Sequence, residues 1–108
     1  MKAMISQRMR GKSDEEIIKT RKKAVAYLES QGYEVVNTYF TDDIEGSAGV
    51  TEHFGIVNMP LYYLAKSLEV MSQCDAVYFC RDWVGARGCR IEHIAAQDYG
   101  LKIIHEEL

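Results

Sequence analysis

The segment DAVYFC, Asp75–Cys80, is the stretch of the chain that decides its fold class. After the aspartate every residue is apolar, whereas a strand with one wet face would alternate polar and apolar residues. A short, continuously apolar strand is typical of a parallel sheet that is covered on both faces. The loop RDWVGARG, Arg81–Gly88, follows it and leads into a helical pattern. We therefore expect a central parallel strand, then a loop, then a helix.

Strand and helix patterns alternate along the rest of the chain. Ser13 and Glu16 have the spacing of a capping box at the start of the first helix, and Gly32 is placed to end that helix. The alternation predicts an α/β chain with a small flavodoxin-like or Rossmann-like three-layer fold and a parallel sheet of about four to five strands. The predicted strands are Lys2–Ser6, Tyr33–Tyr39, Asp75–Cys80 and Leu101–Ile104, and the predicted helices are Asp14–Ser30, Pro60 to about Gln73, and about Gly88 to Tyr99.

Length and composition predict one globular domain, 1–108. The segment 40–59 has no sustained period and is interpreted as a long loop, which is uncommon in a small domain unless it is functional or disordered. A net charge of −3 argues against a nucleic acid polymer as partner. No apolar run is long enough for a membrane span, and the first residues lack a signal-peptide core, so we expect no membrane partner.

The chain has an odd number of cysteines, and none of them form a C-x-x-C pair: Cys74, Cys80 and Cys89. This pattern argues against a disulfide framework or a zinc site and is typical of the reducing cytoplasm. Cys74 and Cys80 are expected to be small buried residues rather than ligands. We expect neither a metal nor a cofactor.

Two loops should meet at the carboxyl edge of such a sheet, where ligands bind to parallel sheets. They are SQRMRGKS (Ser6–Ser13), after the first strand, and RDWVGARG (Arg81–Gly88), after the third. Both loops combine glycines, which let a ligand approach the backbone, with arginines, which bind phosphate or carboxylate in bidentate fashion. The alternative is that the arginines are merely solvated. Neither G-x-G-x-x-G nor a Walker sequence is present. The loops predict an anionic small molecule such as a phosphate, bound by Ser6, Arg8, Arg10 and Gly11 of the first loop and Arg81, Gly85, Arg87 and Gly88 of the second.

Helical spacing separates Glu92 from His93 as the candidate catalytic residue. Glu92 shares its face with small and apolar residues such as Cys89 and Ala96, whereas the face of His93 is more polar. Glu92 is therefore expected to point inward from the start of a helix, where it could act as a nucleophile or base. The alternative is a structural carboxylate that binds an arginine such as Arg8.

The aromatic and histidine residues leave several alternatives open. Trp83, in the second loop, either stacks on a planar ligand or seals an interface. One of Tyr62 and Tyr63 is expected to pack, and the other to face the site or a partner subunit. His53, in the long loop, could reach a ligand or be exposed to solvent, and His105 is expected to have no role.

Three segments carry a resemblance to a known family: MISQRMRG (Met4–Gly11), SLEVMSQCDAVYFCRDW (Ser67–Trp83) and GARGCRIEHIAAQDYGLKII (Gly85–Ile104). Together they resemble the nucleoside 2-deoxyribosyltransferase-like superfamily. The resemblance is closest to its small uncharacterised branch, a DUF4406-like domain of unknown function from bacterial and phage genomes.

The resemblance implies cleavage or transfer of an N-glycosidic bond, by a deoxyribosyltransferase or a nucleoside 5′-monophosphate N-glycosidase. It implies that Glu92 attacks the anomeric carbon, that Gly85–Gly88 hold the sugar or 5′-phosphate, and that Ser6–Gly11 frame the base and sugar. It also implies a homodimer or larger homo-oligomer.

One departure from the superfamily pattern concerns Ser67, which stands where active members carry an aspartate. A serine cannot act as an acid or base near neutral pH. Asp42, Asp43 or Glu45 could substitute for it from the long loop. The alternatives to an enzyme are a domain that binds a nucleotide or nucleotide metabolite without turning it over, and an assembly protein whose site has decayed.

Overall fold

The structure is a computed structural model that describes residues 1–36 and 55–107. Within them the chain forms, in order, β1 (Lys2–Ser6), α1 (Asp14–Ser30), β2 (Glu34–Val35), α2 (Met59–Met71), β3 (Ala76–Phe79), a 3₁₀ turn (Trp83–Gly85), α3 (Arg87–Asp98) and β4 (Lys102–His105). Most of the predicted loop 40–59, the end of the predicted second strand, His53 and the candidate acids Asp42, Asp43 and Glu45 lie outside the described residues.

The four strands of the described chain form one parallel sheet in the order β2-β1-β3-β4. Met4 pairs with Val77 across the β1–β3 ladder, and Tyr78 pairs with Ile104 across the β3–β4 ladder. The predicted α/β class, with a flavodoxin-like or Rossmann-like parallel sheet, is confirmed.

Helices cover both faces of this sheet, as expected for a parallel sheet. On one face Ala24 and Leu28 of α1 pack on Ile5 and Tyr78. On the other face the core is formed by Met4 and Phe79 of the sheet with Met71 of α2 and Ala96 of α3. Every residue of β3 is buried, which explains why its sequence is continuously apolar.

Helix α1 has the ends that its sequence predicts. The Ser13 hydroxyl accepts a hydrogen bond from the backbone N–H of Glu16 at 3.1 Å, which satisfies one of the first-turn donors. After the helix, Gly32 adopts a φ of 87°, a left-handed conformation that a glycine reaches without a Cβ clash. This geometry turns the chain directly into β2.

Several predicted ends move by one or two residues. The ladder of β4 runs to His105, which pairs with Phe79, rather than stopping at Ile104. Asp75 precedes β3 and accepts a hydrogen bond from the backbone N–H of Lys2 at 2.8 Å, so it ties the starts of β1 and β3 together. Within the ranges 1–36 and 55–107, no helix combines the length and apolar character that a bilayer crossing requires.

Candidate functional site

A cleft of about 700 Å³ opens at the carboxyl edge of β1 and β3, where the topology places ligands. Three segments form its walls: the loop after β1, the inward face of α2, and the loop that leads into α3. The volume is in the range of small-molecule sites. The described residues that line the cleft are Gln7, Arg8, Met9, Arg10, Pro60, Tyr63, Leu64, Ser67, Gly85, Ala86, Arg87, Gly88, Cys89, Arg90 and Glu92.

Glu92 is a carboxyl group that α3 holds in the wall of this cleft, with only 7% of the residue exposed. The Ser6 hydroxyl, at the end of β1, donates a hydrogen bond to its Oε1 at 2.8 Å. Burial raises the pKa of Glu92 to about 7, although hydrogen bonds from the Ser6 and Ser67 hydroxyls act in the opposite direction. Neutral and ionised Glu92 therefore coexist near pH 7.

The fold explains how these groups meet. Ser6 lies two residues after Met4 on β1, so both side chains point to the sheet face that α3 covers. The buried residues of α3 are Cys89, Glu92 and Ala96, at helical spacing. The predicted inward orientation of Glu92 is confirmed. Among the described residues its hydrogen-bond partners are Ser6 and Ser67 and not an arginine, which does not support the alternative of a carboxylate paired with an arginine.

The walls of the cleft carry four arginines: Arg8, Arg10, Arg87 and Arg90. Arg8 Nε donates to the Arg10 carbonyl at 3.3 Å, and Arg90 Nη1 donates to the Val84 carbonyl at 2.8 Å. The ion pairs found within residues 1–36 and 55–107 include none of the four. The cleft is therefore a cationic cavity with a carboxyl group in its wall.

The first turn of α3 adds backbone donors to the same wall. Ala86 is its N-cap residue and supplies no side-chain hydrogen bond, and the first turn contains no acidic residue. Ala86, Arg87 and Gly88 all line the cleft. Amide groups in this position favour an anion.

Cys89 is the other group in the cleft with nucleophilic chemistry. Burial raises the pKa of its thiol to about 11, so the thiol is protonated at neutral pH. Glu92 and not Cys89 is thus the residue that can supply an anionic nucleophile here.

The sequence of the chain matches a family model over residues 1–105, and this family is described as a domain of unknown function, DUF4406. The chain belongs to the DUF4406 family. No curated protein and no solved structure matches the chain. The DUF4406 match spans every residue that lines the cleft, so the whole cleft lies within the family domain. The resemblance to a DUF4406-like branch is confirmed, and the link to deoxyribosyltransferases stays a prediction.

The DUF4406 structure brings most of the predicted site residues together. Ser6 lies behind the wall, in contact with Glu92. Gly11, with a φ of 82°, and Trp83 are not among the residues that line the cleft. Their predicted contact with substrate therefore finds no support in their positions. The predicted residues that line the cleft are Arg8, Arg10, Ser67, Gly85, Arg87, Gly88 and Glu92.

Trp83 stacks on residues of its own chain, and its predicted contact with a ligand or an interface stays a prediction. Its ring stacks on His93, with 4.1 Å between the ring centroids and an angle of 6° between the planes. It also packs on Phe79, at 5.5 Å between centroids. His93 in turn approaches His105, with 3.1 Å between their Nε2 atoms. The two histidines thus belong to an aromatic cluster beside the sheet, rather than to the cleft.

Several residues that line the cleft were not predicted from the sequence. Tyr63 and Leu64 share a face of α2 with Ser67, a spacing of three and four residues that could have placed them. This position of Tyr63 agrees with the expectation that one tyrosine of the pair faces the site. Arg90 lines the cleft as well, and no motif of the sequence singles it out. In the described part of the chain, no group of three or more histidine, cysteine or acidic side chains is placed to hold a metal ion.

Proposed function

We propose that this DUF4406 chain cleaves or transfers the N-glycosidic bond of a nucleoside or nucleotide, with Glu92 as the nucleophile. The observation that carries the proposal is the buried Glu92 carboxyl in the wall of a cleft that four arginines also line. Its pKa of about 7 leaves a substantial ionised fraction at neutral pH. A partly dehydrated carboxylate of this kind is a strong nucleophile. The resemblance to the deoxyribosyltransferase superfamily supports the same assignment.

The proposed chemistry has two steps. A Glu92 carboxylate oxygen forms a bond to the anomeric carbon, while the bond from that carbon to the base nitrogen breaks. The electron pair of that bond leaves with the base, which takes up a proton from solvent. Water then attacks the ester and releases the sugar and a proton, or a second base attacks and completes a transfer.

The other residues of the cleft bind and orient the reactants in this proposal. Ser6 donates to Oε1 of Glu92 and so fixes the rotation of the carboxyl group. The Ser67 hydroxyl also hydrogen bonds to this carboxyl group. Arg87 and the first-turn amides of α3 are placed to bind a 5′-phosphate.

One observation favours a second candidate function, binding of a nucleotide without turnover. Glu92 is the only carboxyl group among the described residues that line the cleft. Most enzymes that cleave glycosidic bonds use a pair of carboxyl groups, one of which protonates the leaving group. Ser67 cannot supply that proton, because a hydroxyl is not an acid near neutral pH.

Base release tests the two candidates against each other. The purified chain is incubated with a panel of deoxynucleosides and their 5′-phosphates, and free base is quantified by chromatography. The first proposal predicts release of base, and Glu92→Gln should reduce its rate by roughly a thousandfold or more, as expected for loss of a nucleophile. Glu69→Gln is the control, because Glu69 is an exposed carboxylate of α2 outside the cleft.

Two results would contradict this proposal, one against catalysis and one against the role of Glu92. Ligands that raise the melting temperature and are recovered unchanged would support binding alone. Base release at an equal rate from Glu92→Gln and the control would remove Glu92 from the mechanism.

A further inference from the structure

Two arginines that line the cleft, Arg8 and Arg90, lie against one short segment, the 3₁₀ turn Trp83–Gly85. The Arg8 guanidinium lies against Gly85, where an added Cβ would be only 2.7 Å from Nη1 of Arg8. Arg90 Nη1 donates to the carbonyl of Val84, in the same turn. Arg87 follows two residues after this turn as the first residue of α3. The guanidinium groups of Arg8 and Arg90, from the loop after β1 and from α3, thus lie at the same turn, and Arg87 begins α3 next to it.

No acidic side chain offsets this charge within the described part of the cleft, other than Glu92. Burial favours the neutral form of Glu92 up to a pH of about 7, so even this compensation is incomplete at neutral pH. Arginines held together without counter-charges repel one another, and the repulsion is relieved when an anion binds.

A second depression on the same molecule also carries cationic side chains, but these have acidic partners. It is lined by lysines and Arg81, but also by Asp82 and Glu106. Lys12 Nζ lies 2.9 Å from an Asp82 carboxylate oxygen, and Lys23 Nζ lies 3.3 Å from one of Glu106. There the protein neutralises its own cations, whereas in the cleft it does not.

A single phosphate does not account for this charge. A phosphate monoester carries about −1.5 to −2 charges at pH 7. Arg87 and the uncapped first turn of α3 already form a site for one such group. Arg8 and Arg90 each use a donor on a backbone carbonyl, and a guanidinium has further N–H groups for a bidentate contact.

We infer that the cleft binds a nucleotide with two or more linked phosphates, in preference to a nucleoside or a monophosphate. The inference rests on the proposed function for the nucleoside part of the ligand. The terminal phosphates interact with Arg8 and Arg90, while the sugar reaches towards Glu92.

The test is a binding series by calorimetry, with one deoxynucleoside and its 5′-mono-, di- and triphosphate, and with inorganic tripolyphosphate as a competitor that lacks base and sugar. Each added phosphate should lower the dissociation constant by about tenfold in low salt, as a charge-assisted hydrogen-bonded contact does. Added salt should reduce the gain. Tripolyphosphate should displace the triphosphate.

Variants that remove the charge of one arginine test which side chains bind the added phosphates. Arg8→Gln and Arg90→Gln should each weaken triphosphate binding by about tenfold or more, and should weaken binding of the unphosphorylated nucleoside by a much smaller factor. Arg81→Gln is the matched control. Arg81 is an exposed arginine in the loop after β3, and it contacts Glu106 outside the cleft. Melting temperatures of all three variants check that the fold is intact.

The outcomes separate this inference from the proposed function. Equal affinity for mono- and triphosphate, or no displacement by tripolyphosphate, overturns the inference even where base is released. Tight, arginine-dependent binding of the triphosphate with no base released supports the inference and overturns the proposed catalysis.

Discussion

Glu92 is an acid whose ionised form the folded chain disfavours. Burial raises its pKa from 4.5 to about 7, which corresponds to roughly 3 kcal/mol at about 1.4 kcal/mol per pKa unit. Between these two pH values the folded chain keeps a proton that the unfolded chain has lost. Stability from this group is therefore fully present below pH 4.5 and is lost as the pH rises to about 7. A free-energy cost of this size at one residue is typical of a functional site.

The variant Glu92→Gln should be more stable than the original chain at pH 8, because an amide has no ionised form to bury. We expect an advantage of roughly 1–3 kcal/mol at pH 8 that shrinks as the pH falls towards 4.5. Urea denaturation across this pH range measures it, with Glu69→Gln as the control. A stability difference that does not change with pH would contradict the burial of an ionisable Glu92.

The sequence predicts that Glu92 points inward, but it does not predict the residue to which Glu92 hydrogen bonds. The neighbours Cys89 and Ala96 on the same helical face are small and apolar, and this local pattern is enough to predict an inward side chain. Ser6 is 86 residues away along the chain. The contact between them depends on how β1 and α3 pack, which no local pattern contains. The same is true of the raised pKa, because it depends mainly on burial.

At the scale of elements, the segment between β3 and α3 contributes to two different parts of the molecule, the aromatic cluster and the cleft. Its first part places Trp83 in the aromatic cluster with Phe79 and His93. Its second part, from Gly85, lines the cleft. The sequence predicted a ligand-binding loop from the glycines and arginines, which are local features. It could not predict the packing of Trp83, because the partners of that ring come from β3 and α3.

Gly85→Ala should weaken anion binding without unfolding the chain. The added Cβ would meet Nη1 of Arg8 at 2.7 Å, and this atom is the far end of a flexible side chain that can move away. We expect a loss of roughly threefold to tenfold in affinity for the nucleotide, as for one weakened charged contact, and a stability change within about 1 kcal/mol.

Gly88→Ala is the matched control for this prediction. Gly88 also lines the cleft, but an added Cβ there has no atom within 4 Å. Titration calorimetry and thermal melting of both variants give the comparison. Equal affinities would show that Arg8 does not have to stay against this turn.

At the scale of the whole molecule, the architecture follows from features that the sequence shows plainly. The alternation of strands and helices and the apolar segment Ala76–Phe79 were enough to predict a parallel α/β sheet. Of the second strand, predicted as Tyr33–Tyr39, the described part pairs over Glu34–Val35. The cleft was placed at the correct edge because topology fixes that edge. Of its α2 wall, Ser67 and one tyrosine of the pair Tyr62 and Tyr63 were predicted, whereas Leu64 was not, since helix docking is set by tertiary packing.

The predicted homodimer belongs to this scale. Ile91 and Ile94 are 41% and 58% exposed and lie three residues apart on the outer face of α3. Exposed apolar side chains on one face favour contact with a second copy. We expect Ile94→Lys to weaken self-association by about tenfold or more in sedimentation equilibrium, as a charge buried in an interface does.

Ile18→Lys is the control for association, because Ile18 is 44% exposed on α1, on the opposite side of the sheet. A chain that sediments as a monomer at all concentrations would contradict the homodimer.

The most direct test of the central claim, nucleophilic attack by Glu92, is peptide mass spectrometry after rapid acid quenching of the chain with a deoxynucleotide. The proposal predicts that the peptide with Glu92 gains the mass of the sugar phosphate without the base, and that Glu92→Gln shows no such gain. Release of base without any adduct on Glu92, or an adduct on another residue, would contradict it.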